Sequence, residues 1–247
     1  MSRTSTEPEP EVPKFKVTNA KSLVSECLTL DYFAPNAKGE IPIPAHYVPG
    51  KCPLIVVVGE NASGKSFFRR IVQLICREVK TECIHISMEA RRTISYNPWL
   101  AMVYGDEEHD STGYNSASMV TTGIRTCQGR EAKHVIFWDE PDVGLSENGA
   151  AGVGLVLRDF MKDPPKLTMA AVVVTHSKPL VQAFTELDPH YLHLGGGEVP
   201  PTLDDWLKTP VVARHPDDLL KEGRRRFRLI QDILDGIKTK KEKSHAK

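Results

Sequence analysis

Five consecutive apolar residues, Leu54-Ile-Val-Val-Val58, stand between Pro53 and Gly59. A run without polar alternation is the pattern of a strand covered on both faces, so it predicts a central strand of a parallel sheet. Further apolar segments predict strands at 82–87, 134–138, 169–175 and 191–194. The segments between them predict helices at 65–80, 116–127, within 146–161, and at 179–186. Strands that alternate with helices imply an α/β fold of three layers around a mostly parallel sheet. Upstream, residues 15–17 and 27–33 alternate apolar and polar side chains, which predicts N-terminal strands forming an antiparallel edge. Prolines at 35, 42, 44 and 49 mark a turn-rich stretch before the central strand. The region 89–114 is polar and has no assigned element, and no internal repeat is visible.

The C-terminal segment has a different character. Asp217-Asp218 fits the start of a helix whose apolar residues Leu220, Phe227, Ile230, Leu234 and Ile237 keep three- and four-residue spacing. From 221 to 247 there are ten Lys or Arg against four Asp or Glu. A docked basic helix with a solvated tail is expected over 213–247, with contact to nucleic acid or an acidic partner as the alternative. At the other end, Glu7, Glu9 and Glu11 outweigh Arg3, and residues 1–13 read as a disordered acidic tail without the apolar core of a signal peptide. The segment 14–212 is expected to form one domain.

Charge and composition narrow the classes. The chain has 247 residues, with 32 Lys and Arg balanced by 32 Asp and Glu, which argues against a protein that coats nucleic acid by overall charge. A 40% hydrophobic content is enough to fill a core. No run of about eighteen apolar residues exists, so no transmembrane segment is predicted. The five cysteines are scattered and never form a CxxC pair. They suggest neither a disulfide framework nor a zinc site, but buried reduced thiols in a cytoplasmic protein.

The strongest chemical signal follows the central strand. Gly59, Glu60, Asn61, Ala62, Ser63, Gly64, Lys65 and Ser66 match GxxxxGK[ST], after a buried strand and before a helix. The glycines let successive N–H groups point inward, and the helix N-terminus adds partial positive charge, which together cradle a polyphosphate. Lys65 would supply a mobile charge to the β- and γ-phosphates, and the Ser66 hydroxyl would ligate Mg²⁺. Such a site calls for a carboxylate at a neighbouring strand end, and Asp139 ends the strand at 134–138 as a second metal ligand. Glu140 comes next and is placed to polarise an attacking water as a general base. His176, after the strand at 169–175, can hydrogen-bond a γ-phosphate.

On these residues the chain resembles the ATP-binding-cassette (ABC) ATPase family, in its soluble branch of DNA-repair and chromosome-structure ATPase heads. The matching segments are 59–66 as Walker A, Val135-Ile-Phe-Trp-Asp-Glu-Pro141 as Walker B with its catalytic Glu140, and Val174-Thr-His176 as the switch histidine. Gly144-Leu-Ser146 looks like a divergent D-loop, and residues 191–199 look like the strand–turn–strand that follows the switch histidine. The resemblance implies ATP and Mg²⁺ as ligands, hydrolysis to ADP and phosphate, and a site completed by an ATP-dependent homodimer or partner protein.

Three departures qualify it. No LSGGQ signature is present, although Ser116-Ala-Ser118 lies at a comparable distance before Asp139. No glutamine stands at the end of the strand at 82–87, and Ser146 replaces the usual D-loop Asp. Tyr32 and Phe33 fall near the family's adenine-stacking position, where core packing is the competing reading. A slow or non-hydrolysing nucleotide-gated binding module is therefore the alternative, as are other P-loop classes such as AAA+ motors or small-molecule kinases.

Overall fold

The structure is a computed structural model that describes residues 15–87 and 110–245. The acidic tail expected at 1–13 and most of the polar region at 89–114 lie outside the described residues. In chain order the elements are α1 (Ala20–Leu28), β1 (Ala45–Val48), β2 (Leu54–Val58), α2 (Lys65–Glu78), β3 (Glu82–Ser87), α3 (Thr112–Gln128) and β4 (His134–Asp139). They continue with α4 (Glu147–Lys162), β5 (Thr168–Val174), α5 (Lys178–Gln182), β6 (His190–Leu194), α6 (Leu203–Lys208) and α7 (Pro216–His245).

The six strands form one sheet in the order β1-β6-β2-β5-β4-β3. All neighbours are parallel except β1, which runs antiparallel to β6. Alternate side chains of the central strands feed two separate cores. Leu54, Val56, Val58, Ile136, Trp138, Ala171 and Val173 face α3, α4, α5 and α6. Ile55, Val57, Val135, Phe137, Val172 and Val174 face α1 and α2, with Ile230 of α7. This is why the strands read as unbroken apolar runs: both faces are covered, and each β2 side chain is wholly buried, a contribution of roughly 1.5–3 kcal/mol apiece.

The expected N-terminal strands are not formed. Residues 15–17 carry no strand, and 27–33 are split between the end of α1 and a 3-10 turn at Asp31–Phe33. A capping box starts α1: Asn19 Oδ1 accepts from the Ser22 N–H at 2.9 Å, and Ser22 Oγ accepts from the Asn19 N–H at 3.0 Å. Ala20, Leu23, Val24 and Cys27 then fall on one buried helical face. The antiparallel edge exists, but it is built by Ala45–Val48 from the proline-rich stretch. The pairing expected within 191–199 is also absent. Strand β6 pairs with β1 and β2, and after the turn at 195–198 the chain enters α6, capped by Thr202. None of the five cysteines is in a disulfide, and among the described residues no helix is long and apolar enough to cross a membrane.

Candidate functional site

Strand β5 lies between β2 and β4, so the carboxyl ends of all three meet at one edge of the sheet, where open parallel sheets bind ligands. Strand β2 delivers the loop 59–66, β5 delivers Thr175 and His176, and β4 delivers Asp139 and Glu140.

The loop requires glycine at two points. At Gly59, φ is 143° and an added Cβ would lie 2.0 Å from the Leu194 carbonyl oxygen. At Gly64, the N-cap of α2, φ is 105°. The first turn of α2 leaves its N–H groups free of helical partners and concentrates positive potential there. Lys65 is buried, and its Nζ donates to the Gly59 and Glu60 carbonyl oxygens, both at 2.9 Å. Burial pushes the Lys65 pKa down to about 8, against the upward pull of the Glu140 and Asp139 carboxylates; the Arg226 charge adds to the lowering.

Opposite the loop, Asp139 Oδ2 lies 3.5 Å from Arg69 Nη1, which also approaches His85 Nε2 at 3.3 Å. The Glu140 N–H donates to the Val174 carbonyl at 2.8 Å, tying the acidic loop to β5, and its φ is 52°. His176 Nε2 is 3.6 Å from Glu140 Oε1. Burial first, and the Lys65 ammonium second, push the His176 pKa down to about 4, so the ring is neutral at pH 7. Thr175 links the loops further: its N–H donates to the Val57 carbonyl at 3.2 Å and its hydroxyl to Asp142 Oδ1 at 2.8 Å. Burial outweighs that hydrogen bond and raises the Asp142 pKa.

A cavity of about 500 Å³ opens between the loop and the acidic pair. Asn61, Ala62, Ser63, Gly64, Lys65 and Ser66 form its floor, and Ser87, Asp139 and Glu140 one wall. Gly59 and Glu60 support the floor through Lys65, and His176 stands outside the cavity in contact with Glu140. This is a P-loop architecture. No protein-family model matches the chain, and neither does any curated protein. Among solved structures the chain is similar to the crystal structure of Cdc6p from Pyrobaculum aerophilum, at 14% identity and a TM-score of 0.32. The likeness covers 69% of this chain and 43% of that one, so the chain spans less than half of that protein's length.

The residues present fit a nucleoside triphosphate with a divalent cation. Gly59 and Gly64 let the loop curl at positive φ, and Lys65 is held by carbonyls that a phosphate can replace. Among the described residues no group of three or more His, Cys, Asp or Glu could hold a metal by itself. A cation at Ser66 and Asp139 would therefore take further oxygens from the nucleotide and water.

Other readings change. Ser116 is not at a helix start: Ser111 caps α3, while Ser116 is buried and donates to the Val143 carbonyl at 2.6 Å. In that position it braces the loop after Glu140. Ser146 caps α4, accepting from the Gly149 N–H at 3.3 Å. Tyr32 and Phe33 make edge contacts with Phe67 and Phe68, at 4.8 and 6.4 Å between ring centroids, which is core packing. Sequence reasoning missed Arg69, Ser87, Asp142 and Arg226. Arg69 had a readable signal, a cation four residues after Lys65 on the face that carries Phe68 and Val72. Arg226 had none.

Proposed function

We propose that the protein is an ABC-type ATPase that binds Mg·ATP and cleaves its β–γ bond. The observation that carries the reading is the convergence of Lys65, Glu140 and His176 at one sheet edge, with Glu140 and His176 3.6 Å apart and Lys65 within the field of both acidic residues. The Asp139-Glu140-Pro141 and Thr175-His176 order supports the ABC assignment over other P-loop classes.

In this mechanism the loop N–H groups and the N-terminus of α2 hold the polyphosphate. Lys65 leaves its two carbonyls and takes up phosphate oxygens. Ser66 and Asp139 would hold the cation, which would supply positive charge against the polyphosphate. Glu140 accepts the proton of the attacking water. The neutral His176 ring donates its N–H to a γ-oxygen, and its contact with Glu140 keeps the two groups in register. ATP-dependent dimerisation and contact of the basic C-terminal segment with nucleic acid or a partner belong to the same proposal.

The test is phosphate release by wild type and Glu140→Gln in Mg·ATP. Loss of a general base lowers the rate about 10²–10⁴-fold with ATP binding retained. Equal rates would sink the ATPase reading. A second reading, a slow nucleotide-gated binding module, is favoured by the engagement of Ser116 with Val143. It is distinguished by a wild-type rate already as low as that of Glu140→Gln, together with an ATP-dependent change in size or bound partner.

A further inference from the structure

The cavity beside the phosphate-binding loop has two chemically different halves. One is anion-seeking, built from Lys65, Ser66 and the loop backbone. The other lies between α2 and α7. There Phe67, Phe227, Ile230 and Leu234 supply apolar surface, with Arg70 and Gln231 at its border. A polyphosphate uses only the first half. A flat body attached to it, with apolar faces and polar edges, is what the second half can receive.

The α7 wall is fixed to the loop by several contacts. Arg226 Nη1 donates to the Ser63 carbonyl at 3.0 Å and to the Pro42 carbonyl at 3.3 Å. Arg225 pairs with Glu40 at 3.1 Å. A Cβ built on Gly223 would lie 3.5 Å from the Ala62 Cβ, so the helix backbone runs against the loop itself. Arg226 is only 7% exposed, borders the cavity, and its Nε has no hydrogen-bond partner. Tyr32 and Phe33, the aromatic residues upstream of the loop, do not border the cavity.

We propose that α7 forms the nucleoside-binding wall of the site. The base and ribose of a nucleoside triphosphate sit between Phe67 of α2 and the Phe227, Ile230 and Leu234 face of α7, with the Gln231 amide at the polar edge. This rests on the nucleotide-site reading above and adds which segment reads the nucleoside. It places that recognition at the C-terminal end of the described chain, on a helix clamped to the phosphate-binding loop. Occupancy of the site and docking of the basic helix are then one equilibrium.

The test separates nucleoside from phosphate. Full-length protein is titrated calorimetrically with Mg·ATP and with Mg·tripolyphosphate, for wild type, the double variant Phe227→Ala/Leu234→Ala, the cavity-filling Leu234→Trp, and Phe33→Leu, whose ring meets Phe68 and not Phe67. Wild type is expected to prefer ATP by about tenfold or more. Both α7 variants should bring the two affinities to within about threefold, with tripolyphosphate binding and circular dichroism unchanged, while Phe33→Leu keeps the preference. An α7 variant that retains the full preference, a Phe33 variant that loses it, or a wild type without preference overturns the proposal. Failure of wild type to bind either ligand is a separate result and removes the nucleotide-site reading itself.

Discussion

Arg226 on α7 donates a hydrogen bond to the carbonyl oxygen of Ser63, inside the phosphate-binding loop, at 3.0 Å. The two residues are 163 positions apart, and the contact joins the most basic segment of the chain to its most chemically specific one. Glu222 on the same helix accepts from Arg226 Nη2 at 2.5 Å and partly neutralises it.

Removing this guanidinium should loosen α7. Hydrogen bonds to charged groups are worth about 1.5–3 kcal/mol, and Arg226→Leu is expected to lose about 2 kcal/mol in urea unfolding. The exposed link at 210–215 should also be cut faster by protease. Unchanged stability and cleavage would show that the contact does not hold the helix.

Lys65 gives a pH signature. With its pKa lowered to about 8, the free side chain is mostly neutral at about pH 8.5, and a bound polyphosphate restores its charge. Binding should then take up roughly three-quarters of a proton at about pH 8.5 and much less at about pH 7. Affinity should fall as pH rises above 8. Calorimetry in two buffers of different ionisation enthalpy reads the uptake, and Lys65→Met should abolish it.

His176 acts in the opposite pH range. Its folded pKa, about 4, lies below the ordinary value of 6.5, so the unfolded chain takes the proton first. Stability should decline as pH falls from 6.5 towards 4 and level off below. Since 40% of the side chain is exposed, solvent screens the effect. His176→Gln should flatten this part of the pH–stability curve, and an unaltered slope would assign it to other groups.

Glu140 sits at φ 52°, a left-handed conformation that strains any residue with a Cβ. Glu140→Gly should therefore be about 1 kcal/mol more stable than Glu140→Ala, although both lose the proposed general base. Thermal melts of the two variants decide it. Equal stability would mean that the strain is relieved when the carboxylate is removed.

Arg69 and Asp139 form a largely buried pair, with side chains 8% and 15% exposed. Arg69→Met leaves the carboxylate without this partner and should cost about 3–5 kcal/mol. Adding Asp139→Asn should recover part of that loss. A strictly additive double variant would show that the two residues do not interact.

Much of the fold was legible because its signals are local. The loop 59–66 is one contiguous segment, and buried parallel strands announce themselves by unbroken apolar runs. Strand β3 spans the expected 82–87, and β2 the expected 54–58. The N-terminal segment misled because 15–17 and 27–33 show a short alternation, while the helical face of Ala20, Leu23, Val24 and Cys27 lies between them. The edge strand at 45–48 was hidden among prolines, which tolerate the outside of a sheet.

By itself the sequence determined the candidate residues at one sheet edge: which loop curls, which lysine and hydroxyl stand in it, and which carboxylates and histidine end neighbouring strands. Contiguous motifs and strand ends dictate those positions through backbone geometry alone. Only the tertiary structure decided what surrounds them. Arg69 meets Asp139 across 70 residues, Ser116 is turned into a brace for Val143, and α7 closes one side of the cavity through Arg226. Such pairings depend on how layers pack against the sheet, and no periodicity within a single element carries that information.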